Sequence, residues 1–202
     1  MTITYKVGNS LYINITNRCT NACEFCVRTQ SDGYYAPNLW LDREPTVEEI
    51  CQDLALHDLD VYDEIVFCGY GEPTCRFEEM LAVCDYIRKA TKTAIRLNTN
   101  GHANLICGRD VTPELAGRFD TISVSLNAAN ANDYQKICRS VFGEAAYDAM
   151  LAFAAGAKKY VPRVVLTVVR GTIPDDDIEE CKKIASSHGL ELRVRDYIRK
   201  EQ

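Results

Sequence analysis

Six short runs rich in Val, Ile and Leu punctuate this chain: LYINIT (11–16), EIVFCG (64–69), AIRLNT (94–99), TISVSL (121–126), RVVLTVV (163–169) and ELRVRDY (191–197). Longer amphipathic stretches separate them. TVEEICQDLALHDL opens with Thr46 and Glu49 in capping-box spacing. RFEEMLAVCDYIRKA sets Phe77, Met80, Leu81, Cys84 and Ile87 on one helical face. TPELAGRF offers Thr112 as a cap and Pro113 in the first turn, AAYDAMLAFAAGAKKY reads as a strong helix, and DDDIEECKKIASSHG carries acids first and Gly189 last. Strands separated by helices imply a parallel sheet with right-handed crossovers. Six units predict an α/β fold, a partial (β/α)6 TIM-like barrel with a parallel six-stranded sheet, as a single domain over 1–202; a doubly wound sheet is the other arrangement this alternation allows. The apolar character of the runs suggests strands buried on both faces. In either arrangement ligands bind at the C-terminal strand ends.

The polar punctuation falls at those ends. NRCTNACEFCVR follows the first run and crowds Cys19, Cys23 and Cys26 into eight positions; GYGEPT (69–74), NTNG (98–101) and SLNAAN (125–130) end the next three. Ten cysteines in a small secreted chain would suggest disulfides. Here MTITYKVGNS lacks the basic and apolar regions of a signal peptide, and no apolar run reaches the roughly 18 residues of a membrane span. A cytoplasmic protein is expected, with metal or redox chemistry for the clustered thiols and buried-hydrophobe roles for most of the other seven. The net charge of −6 argues against a nucleic-acid partner held by phosphate contacts.

Three thiolates on one loop suit an iron–sulfur cluster and leave one iron without a protein ligand. Zinc would need a fourth ligand, and His57, His102 and His188 stand singly. No second cysteine group of comparable spacing follows. Glu72, with Gly69 and Gly71 before it and Pro73 after it, offers a carboxylate suited to an ammonium group at a tip where the backbone can approach a ligand closely. Asn98 and Asn100, then Ser125 and Asn127, present donors and acceptors apt for a ribose or a carboxylate.

Cys19-x-x-x-Cys23-x-x-Cys26, with Phe25 before the last cysteine, resembles the signature of the radical SAM superfamily, and GYGEPT resembles that family's Gly-Glu-Pro element, with Tyr70 where many relatives carry glycine. More narrowly, NITNRC, LWLDREPTVEE, NTNGHANLICGRD and SLNAANANDYQKICR resemble the TatD-associated radical SAM proteins. The resemblance implies that the three cysteines hold a [4Fe–4S] cluster whose fourth iron is chelated by S-adenosylmethionine. It implies one-electron cleavage to a 5′-deoxyadenosyl radical that takes hydrogen from a substrate, and an electron donor such as flavodoxin or ferredoxin. It assigns the methionyl amine to Gly69, Gly71 and Glu72, and the ribose and carboxylate to the polar tips. Val168 and Arg170 would then border the adenine, and Arg195 would reach the carboxylate. A radical-installing activase, or a non-catalytic iron–sulfur or zinc protein, are the alternatives. Two further features point to the substrate: the aromatic loop GYYAPNLWLDRE (33–44) as a lid, with Trp40 as its alternative anchor, and Cys138, next to Arg139, as a catalytic thiol.

Overall fold

The computed structural model describes residues 1–30 and 38–197. One sheet holds β1 (Thr4–Val7), β2 (Ser10–Ile13), β3 (Glu64–Phe67), β4 (Ala94–Thr99), β5 (Thr121–Ser125), β6 (Arg163–Val169) and β7 (Glu191–Arg195), side by side in that order. β1 pairs antiparallel with β2, and β2 through β7 are parallel. A doubly wound sheet reverses its strand order at a switch point. Here every strand neighbours the next in sequence, so winding proceeds in one direction, and β1 and β7 remain as edges of a partial barrel.

β1 adds a seventh strand to the six expected. It is joined to β2 by a two-residue turn in which Gly8 has φ +58°, a left-handed conformation that tight hairpins require. The helices are α1 (Val27–Gln30), α2 (Val47–Leu54), α3 (Phe77–Ala90), α4 (Ala103–Cys107), α5 (Ala131–Cys138), α6 (Ala145–Ala157) and α7 (Asp175–Ser187). The capping box of α2 is formed: Thr46 Oγ1 accepts from Glu49 N at 3.2 Å, and the Glu49 carboxylate accepts from Thr46 N at 2.8 Å. α3 buries Phe77, Met80, Leu81, Cys84 and Ile87, as their spacing predicts. TPEL differs from expectation. It is a 3₁₀ turn (Thr112–Leu115) capped by Val111, because the Thr112 hydroxyl donates to Asp110 at 2.7 Å instead of capping.

The two faces of the sheet are unlike. Leu11, Ile13, Ile65, Phe67, Ile95, Leu97, Ile122, Val124, Leu166 and Val168 are all fully buried and belong to one core with the helices. Their strand neighbours face the other way, as a two-residue period demands. Those inner residues include Tyr12, Glu64, Arg96, Asn98, Ser123, Ser125, Thr167 and Arg195, several of them half-exposed. The expectation of strands dry on both faces therefore fails for β2, β4 and β7; it holds for β6, where Val165, Thr167 and Val169 are also buried, and for the middle of β3 and β5, where Val66 and Ser123 are. A closed barrel packs its interior with branched apolar residues. This open one keeps a polar inner face.

Candidate cofactor site

At the C-terminal strand ends lies a cavity of about 220 Å³. The cysteine loop supplies Cys19, Asn21, Cys23, Phe25 and Cys26 to its wall; the tip of β3 supplies Cys68, Gly69, Gly71 and Glu72; β4 to β7 supply Asn98, Asn100, Ser125, Asn127, Val169 and Arg195. A hollow of about 410 Å³ elsewhere, walled by Asp85, Arg88, Lys89 and Arg118, is larger, but Arg118 already pairs with Asp85 and Arg88 with Asp120, and it holds no thiol cluster. Chemistry, not volume, distinguishes the first.

Cys19, Cys23 and Cys26 are half-buried on one loop, and none is in a disulfide. Burial, then the neighbouring Glu72 charge, pushes Cys19 up to about 12. Burial raises Cys26, and a hydrogen bond with the Cys138 thiol followed by burial raises Cys23. Metal binding displaces such protons. Among the described residues no three His, Cys, Asp or Glu side chains converge on a single-ion position. Thiolates that hold a cubane bond separate irons and need not converge.

The loop is fastened from behind. Ala22 N donates to Cys138 O at 2.9 Å and Glu24 N to Ile137 O at 3.1 Å, so the end of α5 brackets Cys23. Arg28 donates to Asn21 O at 3.1 Å, and Asn17 exchanges two hydrogen bonds with Leu41 at 2.7 and 3.1 Å. A buried polar chain then runs across the site. Asn21 Nδ2 donates to Tyr134 Oη at 3.1 Å; Tyr134 bonds His102 Nε2 at 3.1 Å; His102 Nδ1 bonds Thr20 Oγ1 at 3.0 Å; Asn100 Nδ2 donates to Thr20 Oγ1 at 2.8 Å. Asn100 N completes the chain by donating to Glu72 Oε2 at 2.7 Å. His102 is fully buried, and burial lowers its pKa to about 4. Thr20, Asn21 and Tyr134 are functional neighbours that no motif marks, and His102 serves here as a hydrogen-bonding link rather than as a metal ligand. The one available signal was Tyr134 and Cys138 at i and i+4, which mark the buried face of α5.

Glu72 is the buried acid of the cavity. Its carboxylate accepts from Thr74 N at 3.1 Å, Thr74 Oγ1 at 2.7 Å, Thr99 Oγ1 at 2.7 Å and Asn100 N at 2.7 Å. Burial raises its pKa and these bonds counter the rise. None of the groups acting on it most strongly is a cation. Gly69 and Gly71 line the cavity and have a further physical role besides the one expected. A Cβ on Gly69 would lie 2.0 Å from Asn14 Oδ1, and one on Gly71 would lie 2.3 Å from Thr16 O and 2.5 Å from Arg18 O. The glycines let the tip of β3 lie against the backbone that leads into the cysteine loop.

Asn100, Ser125 and Asn127 reach the cavity as expected. Asn127 adopts φ +60°, a left-handed conformation costly for a side chain other than glycine and frequent at functional sites. Its Oδ1 and that of Asn98 are buried without a partner. Three expectations need correction. Val168 points into the helix layer, fully buried, and Val169 lines the cavity instead, because neighbours on a strand face opposite ways. Arg170 is largely exposed and pairs with Asp196 at 3.7 Å. Cys138 is fully buried behind Cys23, where Asn127 Nδ2 donates to its Sγ at 3.4 Å, and it is not part of the cavity wall. Arg139 turns away from it to pair with Glu24. Of the aromatic loop, residues 33–37 lie outside the described residues. Trp40 is half-exposed and meets buried Tyr70 edge-on at 5.2 Å, the arrangement of an anchor.

The family model of the Radical SAM superfamily matches residues 13–185, which spans the cysteine loop and β3 through β6. The chain belongs to the radical SAM superfamily. Its cofactors are therefore a [4Fe–4S] cluster and S-adenosylmethionine. Solved structures agree in fold. A radical SAM methyltransferase from Sphaerobacter thermophilus superposes with TM-score 0.65 at 18% identity, over 96% of this chain and 57% of that one. SuiB of Streptococcus suis, in a structure bound to S-adenosylmethionine, gives 0.64 at 14% identity over 95% and 39%. Native anSMEcpe, with bound AdoMet, gives 0.67 at 16% over 95% and 52%. The radical SAM chain described here thus spans about half the length of these relatives. No curated protein sequence matches it. No helix among the described residues is long and apolar enough to cross a membrane.

Proposed function

We propose that Cys19, Cys23 and Cys26 hold the cluster, and that S-adenosylmethionine lies across the cavity with its amine toward Glu72 and Gly71 and its ribose toward Asn100, Ser125 and Asn127. When bound, the two cofactors supply one-electron cleavage of the sulfonium and hydrogen abstraction from a substrate. The observation that carries this reading is Glu72: a buried carboxylate with no cation paired to it among the described residues, sharing one cavity with three cysteines of one loop. An ammonium group there would gain charge-assisted hydrogen bonds that water cannot match in a buried site. Thr74, Thr99 and Asn100 N fix the carboxylate's orientation before the ligand arrives. The Asn98 and Asn127 acceptors are apt for ribose hydroxyls, since each has an unmet hydrogen bond to offer.

The finer assignment to the TatD-associated subgroup, an electron donor of the flavodoxin or ferredoxin kind, and a cytoplasmic location complete the proposal. Ten thiols free of disulfides suit a reducing compartment. The test is anaerobic reconstitution followed by reduction with S-adenosylmethionine. About four irons and four sulfides per chain, from the cluster's stoichiometry, and release of 5′-deoxyadenosine are expected. Replacing all three cysteines with alanine abolishes both. Glu72→Ala keeps the cluster and weakens cofactor binding. Zinc in place of iron, or an intact reduced cluster without cleavage, would overturn the reading.

A further inference from the structure

Arg195 closes β7 and lines the cavity. Its Nε is buried without a hydrogen-bond partner, and its side chain makes no ion pair among the described residues. The groups that act on it most strongly after burial are the Cys68 thiol, the Arg193 and Arg96 guanidinium groups and the Tyr12 hydroxyl, with no carboxylate among them. The acids nearby are engaged elsewhere. Glu64 pairs with Arg96 at 2.7 Å, Asp196 lies 3.7 Å from Arg170, and Glu72 is held by Thr74, Thr99 and Asn100. Among the described residues the inner face at β7 therefore carries positive charge without a paired acid, in a partly dry setting. Guanidinium groups in such places are normally paired.

We propose that Arg195 receives an oxyanion of the substrate, a carboxylate or a phosphate, so that the enzyme acts on an anionic compound seated at the β7 side of the cavity. The planar fork of arginine matches both groups with two parallel hydrogen bonds. The methionyl carboxylate of the cofactor is the other anion within the site. It is attached to the same carbon as the methionyl amine, so on the reading above it stays beside Glu72 and the cysteine loop. In the sheet β4, β5 and β6 stand between β3 and β7. The sequence-based assignment of Arg195 to that carboxylate is thereby replaced.

This inference rests on the cofactor reading, and one experiment separates the two. The cluster-loaded enzyme is first titrated with S-adenosylmethionine, then its thermal midpoint is followed as chloride is exchanged for acetate, or for inorganic phosphate, at constant ionic strength. Wild type and Arg163→Met, a change at an exposed pair with Glu191, gain stability saturably with one of the two anions. The anion that acts decides between carboxylate and phosphate. Arg195→Met responds at least tenfold more weakly while binding S-adenosylmethionine within about twofold of wild type, and Arg195→Lys, which keeps charge but not the fork, falls between them. A tenfold loss of S-adenosylmethionine affinity in Arg195→Met would assign the residue to the cofactor's carboxylate and overturn the proposal. So would an anion response equal in wild type and Arg195→Met. Failure of wild type to take up iron or to bind the cofactor at the first step would instead defeat the cofactor reading.

Discussion

The two faces of the sheet come from the same strands in alternation, yet they are finished to different standards. On the helix side ten strand residues are fully buried, all of them Val, Ile, Leu or Phe. On the inner side and its rim the accounts stay open. Among the described residues Asn98 and Asn127 keep unpartnered oxygens and Arg195 has no counter-ion, while Asn127 is left-handed and Glu72 is an acid in the interior. A chain selected for stability alone would close these. Each open group is a place where a ligand can supply what the protein withholds, and the dry face opposite provides the free energy that tolerates them.

Substitutions can break that comparison or sharpen it. The largest effect is expected on the helix side. Phe67→Ala removes a fully buried ring stacked edge-on with Phe119 at 5.9 Å, and it should cost about 3–5 kcal/mol in urea unfolding of the metal-free protein. A loss under about 1 kcal/mol would mean the helix face is no better packed than the inner one.

Next comes the buried chain behind the rim. The pKa of His102 in the fold, about 4, lies below its unfolded value of 6.5. The unfolded chain therefore binds the proton first on acidification. The contribution is complete above pH 6.5 and is lost as pH falls toward 4, to a total of about 3 kcal/mol. Urea midpoints measured between pH 7 and 4.5 should fall more steeply in wild type than in His102→Gln. Equal slopes would show that the ring is accessible to protons in the fold.

The sharpest comparison is between neighbours. Val168→Thr puts a hydroxyl into the helix layer and should cost about 1–3 kcal/mol, whereas Val169→Thr puts the same hydroxyl at the cavity and should stay within about 0.5 kcal/mol. Similar costs by thermal denaturation would put both residues in one environment. A similarly small effect on stability belongs to Asn98→Ala. Removing a buried oxygen that has no partner should change metal-free stability by less than about 1 kcal/mol while weakening S-adenosylmethionine binding. A large loss of stability with unchanged cofactor binding would make Asn98 structural.

Cys138 shows where reading the chain as a line falls short. Its sequence neighbour Arg139 suggested an activated thiol. In the fold Arg139 has φ +49°, turns outward and pairs with Glu24, while the thiol meets Cys23, 115 positions earlier in the chain, and Asn127. Adjacency in sequence across the end of a helix is no guide to which way two side chains point. β1 was missed for a related reason. Four residues are too few for alternation to stand out, and the strand exists because β2 offers an edge to pair with.

What the sequence determined by itself is local. The capping box of α2, the buried stripe of α3, the three-cysteine spacing and the placing of polar tips after apolar runs depend on residues within a few positions of one another, and they are readable from period and spacing. Tertiary structure alone decided whatever depends on parity or on distant partners. Which of Val168 and Val169 faces the cavity turns on the register of β6 in the sheet, and a shift of one residue exchanges the faces. The chain from Asn21 through Tyr134, His102, Thr20 and Asn100 to Glu72 joins residues up to 113 positions apart. A hydrogen bond requires atoms about 3 Å apart, and only the finished winding of the sheet brings these groups that close.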